Sequence, residues 1–280
     1  MKKKLFSILV FASLTIMSVS AQKRGNVKLQ QDVEPFTALS VSGDWDVYVR
    51  QGNHQSVSIE TNKEELLDCA EIEVRNGTLY IKNNCKKHMF LKVNSRNFFQ
   101  KVTITVTDLN KITASGGVDI YFETPLETED FELDMSGGSD INDFLIRCTT
   151  FNGKFTGSSD AKIRFLAVEG VVTSMSGGSD VELLDIDALQ TTVSVSGGSD
   201  LEMTGQTQRL TISASGGSDL SLSRFRASGC VAVFSGSSDG ILNVSDMLNI
   251  SLSGSSDVVC FGNPRDVTKQ ISGSSSLKFR

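Results

Sequence analysis

From residue 36 onward, apolar and polar positions alternate in short runs. Val193-Ser194-Val195-Ser196, Ile212-Ser213-Ala214-Ser215 and Ile250-Ser251-Leu252-Ser253 share one scheme, and Leu220-Ser221-Leu222-Ser223 continues it. A period of two predicts β-strands with one buried face. Between the runs stands a recurring phrase, Ser-Gly-Gly-Ser-Asp-apolar, at 136–141, 176–181, 196–201 and 215–220. Copies with Thr or Ser replacements lie at 156–160, 235–239 and 253–257. An early variant (115–120) has Val118 for the second Ser, and a late one (272–277) lacks the Asp. The Asp positions recur every 18–21 residues, and more than half of the 24 glycines fall in the phrase.

A strand, a Gly-rich bend and a second strand within ~20 residues form one coil of a solenoid. The predicted fold class is all-β: a right-handed parallel β-helix. An antiparallel sandwich would join different neighbours at each turn, with no need for an identical bend. Met175, Val195, Ala214, Val233 and Leu252 are expected to stack as an interior ladder. Phe144, Phe155, Phe165, Phe225 and Phe234 are expected as core rings.

The first part of the chain follows a looser pattern. Phe36 to Val49, with Ser42-Gly43-Asp44-Trp45-Asp46-Val47, reads as a degenerate coil. Gln55–Glu60 and Lys101–Thr107 alternate as strands, Asn62–Ala70 as a short helix, and Ile72–Ile81 as a hairpin turning at Asn76-Gly77. Residues 36–112 are expected to form an N-terminal capping unit, because an open coil end is an unpaired edge. The repeat region is 113–280, and residues 22–35 are expected to be a flexible lead-in. Before these come Lys2-Lys3-Lys4, an apolar run from Leu5 to Val19, and small residues at Val19-Ser20-Ala21. This is a signal peptide over residues 1–21, which implies an exported protein in the periplasm, on the outer surface or secreted. No later stretch is long and apolar enough for a transmembrane segment.

Charge and cysteine content narrow the function. With 27 basic against 33 acidic residues and a net charge of −6, the chain has no basic cluster, which excludes nucleic acid as a partner. Of the five cysteines, Cys69 and Cys85 flank the hairpin and are placed to pair. Cys148, Cys230 and Cys260 are expected as small buried residues. With only two histidines, His54 and His88, and no CxxC, no zinc or redox site is expected.

The opening Phe36–Gly52, the Asn-Gly hairpin and the Ser-Gly-Gly-Ser-Asp-Ile repeat together resemble the head GIN domain family of auto-transporter adhesins from Gram-negative bacteria. The resemblance spans about 36–280. It implies a parallel β-helix, export and a role in adhesion. No C-terminal barrel of long amphipathic strands is seen before Arg280, so self-translocation is not expected.

The candidate site is the repeated carboxylate: Asp119, Asp140, Asp160, Asp180, Asp200, Asp219, Asp239 and Asp257. In-register stacking would align these in one column. They are expected to cap the turns by accepting hydrogen bonds, with weak Ca²⁺ binding between coils as the alternative. No catalytic residue, metal ligand or other cofactor is assigned. Uniform coils with short connections build no cleft for an acid pair, and Glu64-Glu65 and Asp68-Glu71 read as a solvated helix face. The sequence therefore predicts a non-enzymatic adhesion or envelope scaffold protein whose partner is a glycan or a cell-surface protein. A polysaccharide-degrading enzyme and a self-assembling homo-oligomer are the other two readings.

Overall fold

A computed structural model describes residues 27–31, 33–62, 64–83 and 99–280. The expected signal peptide, Cys85 and His88 lie outside these residues. The chain is a β-solenoid whose coils stack as parallel strands, as the period predicts. β2 (Ala38–Gln51) is the degenerate coil, and it pairs along its length with β7 (Lys111–Phe122), with Gly43 opposite Gly116 and Asp46 opposite Asp119. On the other side of β2 lie β5 (Thr78–Asn83) against its first half and β6 (Gln100–Val106) against its second. β2 thus lies inside the stack, between β7 and the later strands β5 and β6.

Antiparallel strands cover this end. β3 (Ser56–Thr61) pairs with β6, β1 (Val27–Gln31) with β3, and β4 (Ala70–Arg75) with β5. Part of the expected lead-in is therefore a paired strand. The β4–β5 hairpin turns at Asn76 and Gly77, with φ of 50° and 73°, the paired positive values of a two-residue hairpin turn. The expected helix is a single turn, α1 (Glu64–Leu67).

Beyond β7 the coils are built from β8 (Leu126–Glu127), β9 (Asp130–Gly137), β10 (Asp140–Arg147), β11 (Thr150–Gly157), β12 (Asp160–Ala167) and β13 (Gly170–Gly177). Then come β14 (Asp180–Val195), β15 (Asp200–Ala214), β16 (Asp219–Phe234), β17 (Asp239–Leu252), β18 (Asp257–Phe261), β19 (Asp266–Ile271) and β20 (Ser276–Phe279). The long strands β14 to β17 each run from one coil into the next.

The residue before each bend points inward. Ala114, Met135, Phe155, Met175, Val195, Ala214, Phe234 and Leu252 are all buried and pair in that order. The ladder expected from sequence holds except at Val233, which is 46% exposed and pairs with Ser213 and Ser251. Val231-Ala232-Val233-Phe234 is apolar on both faces, so period two alone cannot choose its inner set. The bend fixes it: Phe234 precedes Ser235 as Met175 precedes Ser176. The five expected core phenylalanines are all buried. Phe144 stacks on Phe122 at 3.9 Å, and Phe165 meets Phe151 edge-on at 5.1 Å.

Candidate functional site: an acidic edge and an axial groove

The bend is best understood one position at a time. Its first glycine has positive φ, +97° at Gly177, and a Cβ there would lie 2.4 Å from the carbonyl oxygen of Gly157 in the coil below. The next amide, Gly178 N–H, donates to that same carbonyl at 2.7 Å. The second glycine has no such crowding, which is why Ser158, Ser237 and Ser255 can replace it. The second Ser of the phrase faces inward: Ser139, Ser159, Ser179, Ser199, Ser218, Ser238 and Ser256 are fully buried. Its hydroxyl donates back to the carbonyl three residues earlier, for example Ser218 to Ser215 at 2.9 Å and Ser256 to Ser253 at 3.1 Å. Sequence alternation gives no warning of this interior serine column, because a hydroxyl counts as polar. Trp45 and Val118 hold the same position in the first coils.

The carboxylates do align. Asp119 pairs with Asp140, Asp140 with Asp160, Asp180 with Asp200, Asp200 with Asp219, and Asp219 with Asp239. Asp180 N–H donates to Asp160 Oδ1 at 3.3 Å, and Asp257 N–H to Asp239 Oδ1 at 2.9 Å, which carries the column across the remaining steps. The column also takes in Asp46, opposite Asp119. Its signal was Ser42-Gly43 at the same offset as the later bends. Lys101 sits next to Asp46 at one end, its Nζ 3.6 Å from the centroid of Tyr48, which stacks on Tyr121 at 4.8 Å. At the other end Ser276 Oγ donates to Asp257 Oδ1 at 2.7 Å.

Partial burial, then the charges of Asp140, Asp46 and Asp44, raise the pKa of Asp119 above the usual carboxylate value. Burial and then Asp44 raise Asp46 against the pull of Lys101, and burial with Asp160 and Asp200 raises Asp180. Beside the column is a shallow depression of about 630 Å³, with Glu182 and Glu202 along it. Among the described residues, no three His, Cys, Asp or Glu side chains converge on a point that could hold a metal ion. One carboxylate per coil forms a line, whereas Ca²⁺ takes about six to eight oxygens around one centre.

The opposite turn of each coil builds a second feature that the sequence reading did not mark. Arg147 pairs with Ala167, and Asp187 with Gln206 and Gln206 with Arg226, along one exposed wall that also brings Ala167 and Asp187 to the same depression. Two residues further on, Thr149, Glu169, Leu189, Gln208, Ser228 and Asp246 form another. Between them lies a floor of small or buried residues: Cys148, Val168, Ala188, Thr207 and Ala227 are each 5% exposed or less. The result is a groove parallel to the rod axis, in stretches of about 640 and 410 Å³ that share Glu169 and Asp187. Its signal in the sequence was a small residue recurring at the coil period between two polar ones.

The expected buried cysteines Cys148, Cys230 and Cys260 are buried free thiols. Burial, then Asp130, pushes Cys148 up to about 12, and burial, then Cys260, does the same for Cys230, so neither is an activated nucleophile. Cys69 is disulfide-bonded. Of the paired acids, Asp68 is exposed and Glu71 pairs with Lys82 at 3.2 Å. No helix among the described residues is long and apolar enough to cross a membrane.

Parallel coils, an in-register bend and solvent-facing columns define a β-solenoid. The model of the family described as "Putative auto-transporter adhesin, head GIN domain" matches residues 35–165 and again 165–264, and the chain belongs to that family. Among solved structures, it is similar to a protein described as a putative adhesin from Parabacteroides merdae, with TM-score 0.71 and 13% identity over 91% of this chain and 96% of that one. It is also similar to a protein from Parabacteroides distasonis described as a putative lipid binding protein, with TM-score 0.65 and 17% identity over 91% and 97%. At these identities the likeness is one of fold. No curated protein matches the chain.

Proposed function

We propose that this protein is an exported, non-enzymatic adhesion rod of the cell envelope. The observation that carries the reading is the in-register repetition of one surface. Successive coils from Asp119 to Asp257 present the same bend and carboxylate at strand spacing, so a repetitive partner meets several similar contacts at once. Weak contacts linked on a stiff scaffold add through effective concentration, and strong attachment needs no single deep site. The adhesin family and the adhesin-like solved structures support this reading.

The test is attachment. Beads carrying the purified chain should bind whole cells or envelope fragments, soluble chain should compete, and chains shortened by whole coils should bind progressively less. Beads that bind no better than uncoated ones would sink the proposal. Turnover in a depolymerisation assay on a polysaccharide panel would replace it with an enzymatic one.

A further inference from the structure

We infer that the axial groove is a binding track for an extended, uncharged glycan strand, laid parallel to the rod with about one sugar ring per coil. This deepens the adhesion reading and rests on it.

The first argument is period. The groove repeats at the coil rise, about 4.8 Å. A ribbon of β-1,4-linked pyranose rings advances by a similar step and turns over at each linkage, so one ring falls on each coil and rings of the same orientation return at every second coil. An extended peptide repeats its side-chain direction at about 6.7 Å, two residues of strand, and drifts out of phase with the walls within a few coils.

The second argument is wall chemistry. Vicinal hydroxyls, which both donate and accept, are bound by planar groups: carboxylates that accept, guanidinium that donates, and amides that do both. The walls provide these in succession as Glu169, Asp187, Gln206, Gln208 and Arg226. Gln206 Nε2 donates to Asp187 Oδ1 at 3.0 Å, which fixes both side chains while leaving the outer oxygens to accept. Arg226 takes part in no ion pair among the described residues, so its donors remain available.

The third argument is charge. Acidic Glu169, Asp187 and Asp246 share the groove with basic Arg147 and Arg226, and Arg147 and Asp246 are themselves ion-paired, to Glu127 and Arg265. This mixture attracts neither a polyanion nor a polycation along its length, which selects a neutral strand. The low floor at Ala188 and Thr207 lets a ring sit between the walls, and Leu189, 52% exposed, offers an apolar edge to a sugar face.

The experiment is calorimetric titration of the full chain with β-1,4-linked glucose and N-acetylglucosamine oligomers of two to six rings. Oligogalacturonate and an extended neutral decapeptide serve as the other arms. The expected result is affinity that grows with length, the hexamer binding at least tenfold tighter than the trimer. Gln208→Ala with Arg226→Ala should lose at least tenfold at unchanged melting temperature. Ala167→Trp, which fills a gap in one wall, should lose as much, and Asp200→Asn on the far edge should lose nothing. No binding by any neutral hexamer, binding unaffected by the groove variants, or preference for the peptide or the acidic oligomer would overturn the inference. If the oligomers fail while chain-coated beads still attach, only the groove assignment falls. If attachment fails as well, the adhesion reading falls with it.

Discussion

Phe234 fills the space that a side chain at position 240 would need: a Cβ on Gly240 would lie 2.6 Å from the Phe234 ring. In the coil below, the same two positions are Ala214 and Leu220, small and large exchanged. Phe234→Ala should cost about 3–5 kcal/mol, since it removes a buried ring and leaves a cavity. Gly240→Leu alone should also destabilise, by overpacking. The double variant copies the lower coil and should recover most of the loss. Denaturant midpoints of the four proteins check this, and additive losses would refute the pairing.

The bend glycines should differ sharply. Gly177→Ala places a Cβ against the Gly157 carbonyl at positive φ and should cost about 1–3 kcal/mol or more. Gly178→Ser should be near neutral, since the chain already has Ser at 158, 237 and 255. Melting temperatures of the two variants make the comparison.

Two core hydroxyls, Thr173 Oγ1 and Thr191 Oγ1, are buried with no hydrogen-bond partner among the described residues. Thr173→Val keeps the shape and removes an unmet polar group, so it should stabilise by about 1 kcal/mol. Ser218→Ala removes a donor that is bonded to Ser215 O and should destabilise by about the same amount. Opposite signs for two hydroxyl-to-apolar changes are the signature to look for in thermal melts.

The carboxylate column makes stability depend on pH in a direction opposite to a salt-bridged acid. Asp46, Asp119 and Asp180 have folded pKa values raised above 3.8. The folded state then binds protons more tightly than the unfolded one, so the contribution of these groups becomes less favourable as pH rises through the window just above 3.8. Asp119→Asn and Asp180→Asn should therefore melt higher than the parent at neutral pH, and the advantage should shrink as pH falls toward 4. Added salt should narrow the same gap. An advantage that grows on acidification would disprove the upward shift that burial and the neighbouring carboxylates impose.

Burial also sets the thiol chemistry. Cys148 and Cys230, pushed up to about 12, should resist alkylation at pH 8 in the folded chain and react on unfolding. Mass spectrometry of alkylated native and denatured protein reads this directly.

Much of the architecture was legible because the bend repeats. Gly at one offset and Asp three further on announced both the solenoid and the acidic column, down to the degenerate copy at Ser42-Gly43. What alternation could not show was anything that depends on a neighbouring coil. Val233 and Phe234 are both apolar, and the register set by the bend, with Phe234 just before Ser235 and paired with Ala214, decides which one is inside. The buried serines look like surface residues until the bend folds them inward. The groove at Ala188 and Thr207 lies between columns contributed by many coils, so no single segment carries it.

Because each bend hangs from the carbonyl of the bend beneath it, every coil is a template for the next. Removing residues 181–200 would join Asp180 to Leu201 and recreate the Asp-Leu junction already present at Asp200. Reach is therefore a modular quantity in this protein. It can be lengthened or shortened by duplicating or losing whole coils, leaving the recognition surface of each coil intact.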